Sequence, residues 1–186
     1  MIFLYAVVIG ILLGYALRGR IGRLAALQLR GLWLVMLALV IQLLIFPLFT
    51  PEPVIPYGTA VLHGISYGLV FLWLLLNVRV RPLIVVGVGA LLNLVVVFVN
   101  GGYMPASPAA LAHAGLTSVA ETIGRGETYG NIVGMSAATR LNFLGDWIAL
   151  PRGLPFATAM SVGDAVIMVG LMWLLVRGMR ARAQSA

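Results

Sequence analysis

The sequence predicts an all-α, polytopic integral membrane protein, and three observations carry that prediction. First, the 186 residues are 62% hydrophobic and 9% charged, too little charge to cover the surface of a soluble domain. Second, five apolar runs approach the ~20 helical residues needed to cross a hydrocarbon core. Third, every one of the 12 basic residues is arginine, and most of them cluster between runs: Arg18, Arg20, Arg23 and Arg30; Arg79 and Arg81; Arg177, Arg180 and Arg182. Glu52, Glu121, Glu127 and Asp146 occupy the alternate connections, and Asp164 lies inside the last run. Short Arg-rich loops stay on the cytoplasmic side during insertion. The expected topology is therefore a single membrane domain, 1–186, with five spans, the N-terminus outside and the C-terminus inside.

The spans follow in order. Residues 2–17 form the first, short one; MIFLYAVV lacks a charged n-region and a small-residue cleavage site, so it is expected to be retained. The second, 31–49, is stopped by Pro47, Pro51 and Pro53. The third covers 57–78. The fourth covers 82–100, with Pro82 in the first turn, where its missing N–H would have no partner anyway. The fifth covers 156–176, followed by a cytoplasmic tail at 177–186.

Residues 101–155 depart from this pattern. They are too polar to span and too apolar for a disordered linker, so they are expected to form a partly helical extracytoplasmic cap. Ser107-Pro108 before AALAHAGL reads as an N-capped short helix, and a second helix is expected near Ser136–Leu144. The chain shows no internal repeat of the kind many transporters carry.

Composition also excludes functions. There is no cysteine, hence no disulfide or thiolate chemistry. The net charge of +7 divides into +9 inside and −2 outside; it reflects topology, and no basic segment is built to read nucleic acid. The expected partners are the lipid bilayer, including its anionic headgroups, and other membrane subunits. Two histidines, His63 and His113, make a paired-histidine haem implausible. A zinc site needs three or four ligands, and only Glu121 and Glu127 lie near His113. No cofactor and no metal are expected. Ser66 lies one turn after His63, but nothing signals the oxyanion hole of a hydrolase. SVGD at 161–164 lacks a second in-span carboxylate for aspartyl chemistry.

The strongly polar residues of the spans gather at one depth. Counted from the outer ends of their runs, Gln42, His63 and Asn93 lie ~10 Å down and Asp164 ~14 Å down, with Ser66 and Tyr67 in the same layer. An ionisable group in the bilayer is a functional hypothesis whose partner has to be named; for Asp164 the expected partner is His63 or Asn93. Together with Asn100 and Asp146 of the cap, these eight residues form a candidate outward-facing polar pocket. The alternative is interhelical adhesion, worth ~0.6 kcal/mol per hydrogen bond. Asp146 is expected to pair with Arg140 or Arg152. Gly10/Gly14 and Gly64/Gly68 have the spacing that lets helix backbones approach closely.

Three strings, NGGYMP at 100–105, TRLNFLGDWIALP at 139–151 and SVGD at 161–164, occur in this order after four apolar runs. Read together they resemble a bacterial membrane-protein family known as domain of unknown function 5317. The resemblance implies an architecture, a bacterial cytoplasmic-membrane location and no assigned activity. It also implies that Asn100, Gly101, Gly102, Tyr103, Met104, Pro105, Leu144, Gly145, Asp146, Ser161, Gly163 and Asp164 are characteristic positions. Independently of it, Asn100-Gly101-Gly102 suits a helix C-cap, and Tyr103 and Trp147 suit an interfacial belt.

Two functional expectations remain open. One is a structural or accessory subunit packing in a larger membrane assembly, favoured by five unrepeated spans with a single carboxylate. The other is a module that binds or passes a small molecule or cation under the cap. An enzyme ranks third.

Overall fold

The computed structural model describes residues 2–46, 54–55 and 57–181. The order is α1 (Phe3–Ala16), a 3-10 helix (Ile21–Ala26), α2 (Leu32–Ile45), α3 (Thr59–Leu76) and α4 (Arg81–Val99). The cap follows as β1 (Met104–Ala106), α5 (Pro108–His113), α6 (Thr117–Gly124), β2 (Ile132–Gly134), a 3-10 turn (Asn142–Leu144), β3 (Ile148–Ala149) and β4 (Ala159–Met160); α7 (Val162–Arg180) ends the bundle. By length and composition α3, α4 and α7 can each cross a membrane, whereas α1 and α2 are apolar but shorter, at 14 residues each. The flanks are openly apolar: Phe98 is 80% exposed, Leu75 70% and Trp33 66%. Such surfaces suit lipid as the solvent and would aggregate in water.

The molecule is mostly helical but not all-α. β1 and β2 pair in parallel and β3 and β4 antiparallel. Strands of two or three residues are too short to show a period-2 pattern, so the sequence conceals them. The expected helix at 136–144 is also replaced, by a side-chain-locked turn. Thr139 Oγ1 accepts from Ser136 N at 2.9 Å and donates to Asn142 Oδ1 at 2.8 Å, and Leu141 takes a left-handed φ of 56°. Hydroxyl groups that bond the local backbone compete with helix formation. The Ser107 cap does form, with its hydroxyl accepting from Ala110 N at 3.2 Å. The expected outer end of the second span, 47–49, and tail residues 182–186 lie outside the described residues.

The last helix is the axis of the bundle. Both α1 and α4 pack on α7, through glycines on each side. A Cβ on Gly10 would meet Leu175, one on Gly14 would meet Met179, and one on Gly89 would lie 2.5 Å from the Gly163 carbonyl. Missing side chains thus let the backbones approach closely, and dispersion contacts replace a hydrophobic drive that lipid does not supply. The Gly64/Gly68 pair of α3 differs: among the described residues nothing lies within 4 Å of either Cβ position.

The arginine clusters converge on one end of this bundle. Arg20 N donates to Met179 O at 2.8 Å, and Gly178 packs on Leu24 and Leu27. Asn77 at the end of α3 clasps the start of α2: its side chain donates to Arg30 O at 2.9 Å and accepts from Arg30 N at 2.8 Å. A core of Leu34, Trp73, Leu74, Leu83, Val86 and Leu174 fills this half. At the opposite end sits the cap, with its own core of Ala106, Ala110, Leu111, Ala120, Ile123 and Ala159. The Tyr5 hydroxyl, near the start of α1, donates to the Pro155 carbonyl there.

Candidate functional site

Beneath the cap, the helix ends hold two polar clusters rather than one layer. In the first, between α2 and α3, Gln42 Nε2 donates to Ser66 Oγ at 2.6 Å, and Ser66 Oγ donates to the His63 carbonyl at 2.7 Å. The His63 imidazole packs edge-on against Phe46, with ring centres 5.2 Å apart, and lies 5.1 Å from the Tyr67 ring. His63 is 4% exposed, and its Nδ1 has no hydrogen-bond partner among the described residues.

The second cluster joins α4 to α7. Ser161 Oγ donates to Asn93 Oδ1 at 2.8 Å, and Asn93 Nδ2 donates to Asp164 Oδ1 at 2.8 Å. Asp164 N donates to Ser161 Oγ at 2.9 Å, and Ser161 N donates to Asp164 Oδ2 at 3.1 Å. The last two bonds form a reciprocal capping box, which satisfies orphan N–H groups at the start of α7 and places a carboxylate at the positive end of the helix dipole. The expected partner Asn93 is thus found, whereas His63 belongs to the other cluster. The expected depth of Asp164 is corrected. Its helix starts at Val162, not at residue 156, because β4 and the Ser161 cap take up the residues between. Asp164 therefore lies in the first helical turn. The Ser-x-x-Asp spacing at 161–164 was the sequence signal for this cap, and it marks Ser161, fully buried, as the residue missing from the candidate set.

Tyr67 links the two clusters. Beside His63 on one side, it lies within electrostatic reach of both Asp164 and Asp146. Asp146 reaches this point from the cap, where its backbone is fixed to β1: Asp146 N donates to Pro105 O at 2.8 Å, and Ser107 N donates to Asp146 O at 2.8 Å. Its side chain is not paired with Arg140 or Arg152. Among the described residues the ion pair is Arg125–Glu127, at 3.0 Å on the surface, and Arg152 packs against Gly115 instead. Asp146 Oδ1 is buried without a hydrogen-bond partner. Burial pushes this carboxyl up to about 8, and the nearby Asp164 charge adds to the rise.

Asn100 stands apart from both clusters. Its side chain donates to Arg140 O at 2.9 Å and accepts from Arg140 N at 2.8 Å, clamping the 136–140 turn to the end of α4. It also borders an open cleft of about 700 Å³ in the cap, whose walls include Tyr103, Ile123, Met135, Thr139 and Arg140. The other seven candidates lie outside that cleft. Gly101 and Gly102, with φ of 68° and 98°, turn the chain out of α4, and Gly102 N donates to Val97 O at 2.9 Å. Among the described residues no group of three or more His, Cys, Asp or Glu converges as a metal site.

The strings that carry these features (100–105, 139–151 and 161–164) all sit at the junction of cap and bundle. No curated protein and no solved structure matches the chain. A family model described as a family of unknown function, DUF5317, matches residues 26–176, and the chain belongs to that family.

Proposed function

We propose that this is a five-pass protein of a bacterial cytoplasmic membrane, N-terminus out and C-terminus in, serving as a structural or accessory subunit of a larger membrane assembly. The convergence of the arginine clusters at the end opposite the cap supports the orientation. One observation carries the role. Every bundle glycine buried against a neighbour is tightly filled, whereas Gly64 and Gly68 leave a smooth, open strip on α3, flanked by exposed Val61, Ile65, Leu72 and Leu75. A small-residue strip of this kind suits close approach by another transmembrane helix.

The test is purification in mild detergent. The wild-type chain is expected to bring stoichiometric partner subunits with it. Gly64→Leu/Gly68→Leu is expected to lose them at least ten-fold while leaving the melting temperature of the isolated chain close to that of the wild type, because a Cβ at either position meets no described residue within 4 Å. A single-chain species indifferent to the double substitution would overturn this role. Orientation is read separately in the cysteine-free background: Glu127→Cys should label from outside, and Arg79→Cys only after permeabilisation.

A second reading, a binding or permeation module for a small molecule or cation, is favoured by the buried, partnerless Oδ1 of Asp146 beside Asp164 and Tyr67. Its mark is a monodisperse chain whose melting temperature rises with an added solute, by mass action on the folded state.

A further inference from the structure

We propose that the Arg-bearing end of α7 holds an anionic phospholipid headgroup in a defined groove. The inference rests on the membrane reading above but not on the subunit role. The groove encloses about 510 Å³ and is lined by Trp173, Val176, Arg177, Arg180 and Ala181. Residues spaced by three or four share a helix face, so Trp173, Arg177 and Arg180 form one stripe, and all three are exposed.

Three features select a phospholipid as the occupant. The first is charge. Glu121, Glu127, Asp146 and Asp164 all lie in the cap or the first turn of α7, so the acids of the described residues are near the far end of that helix, with Asp164 ~20 Å from Arg177 and ~24 Å from Arg180 along the axis at 1.5 Å per residue. Arg177 and Arg180 have no ion-pair partner among the described residues. Their planar guanidinium groups offer forked donors that match a phosphate. The second is continuity with lipid. Val176 and the half-exposed Trp173 continue the apolar flank that includes exposed Val169, and Trp is the side chain suited to the headgroup boundary. The acyl chains of a bound lipid would run along this flank with the phosphate at the arginines. The third is spacing, since Arg177 and Arg180, three residues apart on one helix face, can engage a single phosphate together where scattered basic side chains would only attract many.

Native mass spectrometry of the detergent-purified full chain, titrated with phosphatidylglycerol and separately with phosphatidylcholine, tests the proposal. The wild type is expected to retain phosphatidylglycerol preferentially. Arg177→Gln/Arg180→Gln is expected to weaken that retention roughly ten- to thirty-fold, taking each basic side chain near the surface at its usual worth. Trp173→Ala is expected to weaken it less. Arg79→Gln/Arg81→Gln removes the same charge from the same end outside the groove and is expected to change retention less than about two-fold. Equal losses from both double substitutions would overturn the groove in favour of diffuse attraction, and displacement by inorganic phosphate would overturn a lipid occupant in favour of a free-anion site. A chain that stays in solution without detergent would refute the membrane reading. A detergent-requiring chain with no phosphatidylglycerol preference would refute the groove alone.

Discussion

Alanine at Gly163 is expected to cost the bundle about 3 kcal/mol or more. The added Cβ would fall on Asn93 Oδ1 and lie 2.7 Å from the Gly89 carbonyl. Neither neighbour can yield cheaply, since one is held by Ser161 and the other is helix backbone. Relief requires α4 and α7 to separate, and separation breaks the Asn93–Asp164 bond and leaves a carboxylate oxygen unpaired. Over-packing alone typically costs 1–3 kcal/mol, and an unsatisfied buried polar group adds a similar amount. Gly64→Ala is the control: with open space around it, the gain in helix propensity is expected to leave stability unchanged or slightly raised. Thermal unfolding of both variants in one detergent checks the pair. Equal melting temperatures for the two would contradict the tight α4–α7 crossing.

The second large effect is expected from pH, through Asp146. Its folded pKa of about 8 stands above the ordinary value of 3.8, so between those limits the folded chain keeps a proton that the unfolded chain has released. Stability therefore falls as pH rises from about 4 to about 8 and levels off above, with a ceiling of about 5 kcal/mol at 1.36 kcal/mol per pH unit. Charging Asp146 places it beside Asp164 and under the cap, so the cap is expected to loosen first. Trp147, the next residue and 50% exposed, is placed to report this by fluorescence. Asp146→Asn is expected to abolish most of the pH dependence and to raise the melting temperature at pH 8. Superimposable pH profiles for wild type and variant would show that the carboxyl is ionised and solvated throughout.

The helical body was legible because its signals are long: apolar runs, three of which become helices long enough to cross a membrane. The junction with the cap was not, because its signals are short. Counting from Pro155 placed Asp164 deep in a span, yet three residues of capping chemistry at Ser161 move the helix start to Val162. A helix is expected near Ser136–Leu144, and the hydroxyl groups of Ser136 and Thr139 in fact hold the backbone in a turn. Asp146 lies near Arg140 and Arg152 in sequence, but its backbone bridges to Ala106 of β1, a partner 40 positions away that no local spacing reveals. Asn93 was found because a carboxylate near lipid demands a donor, and that demand holds wherever the helix begins.

The central position of α7 has a consequence for biogenesis. The helix on which α1 and α4 both pack leaves the ribosome after them, so these earlier segments must form without the surface they need. Their packing has to await α7, and chains truncated before Val162 would leave the glycine faces of α1 and α4 unpaired.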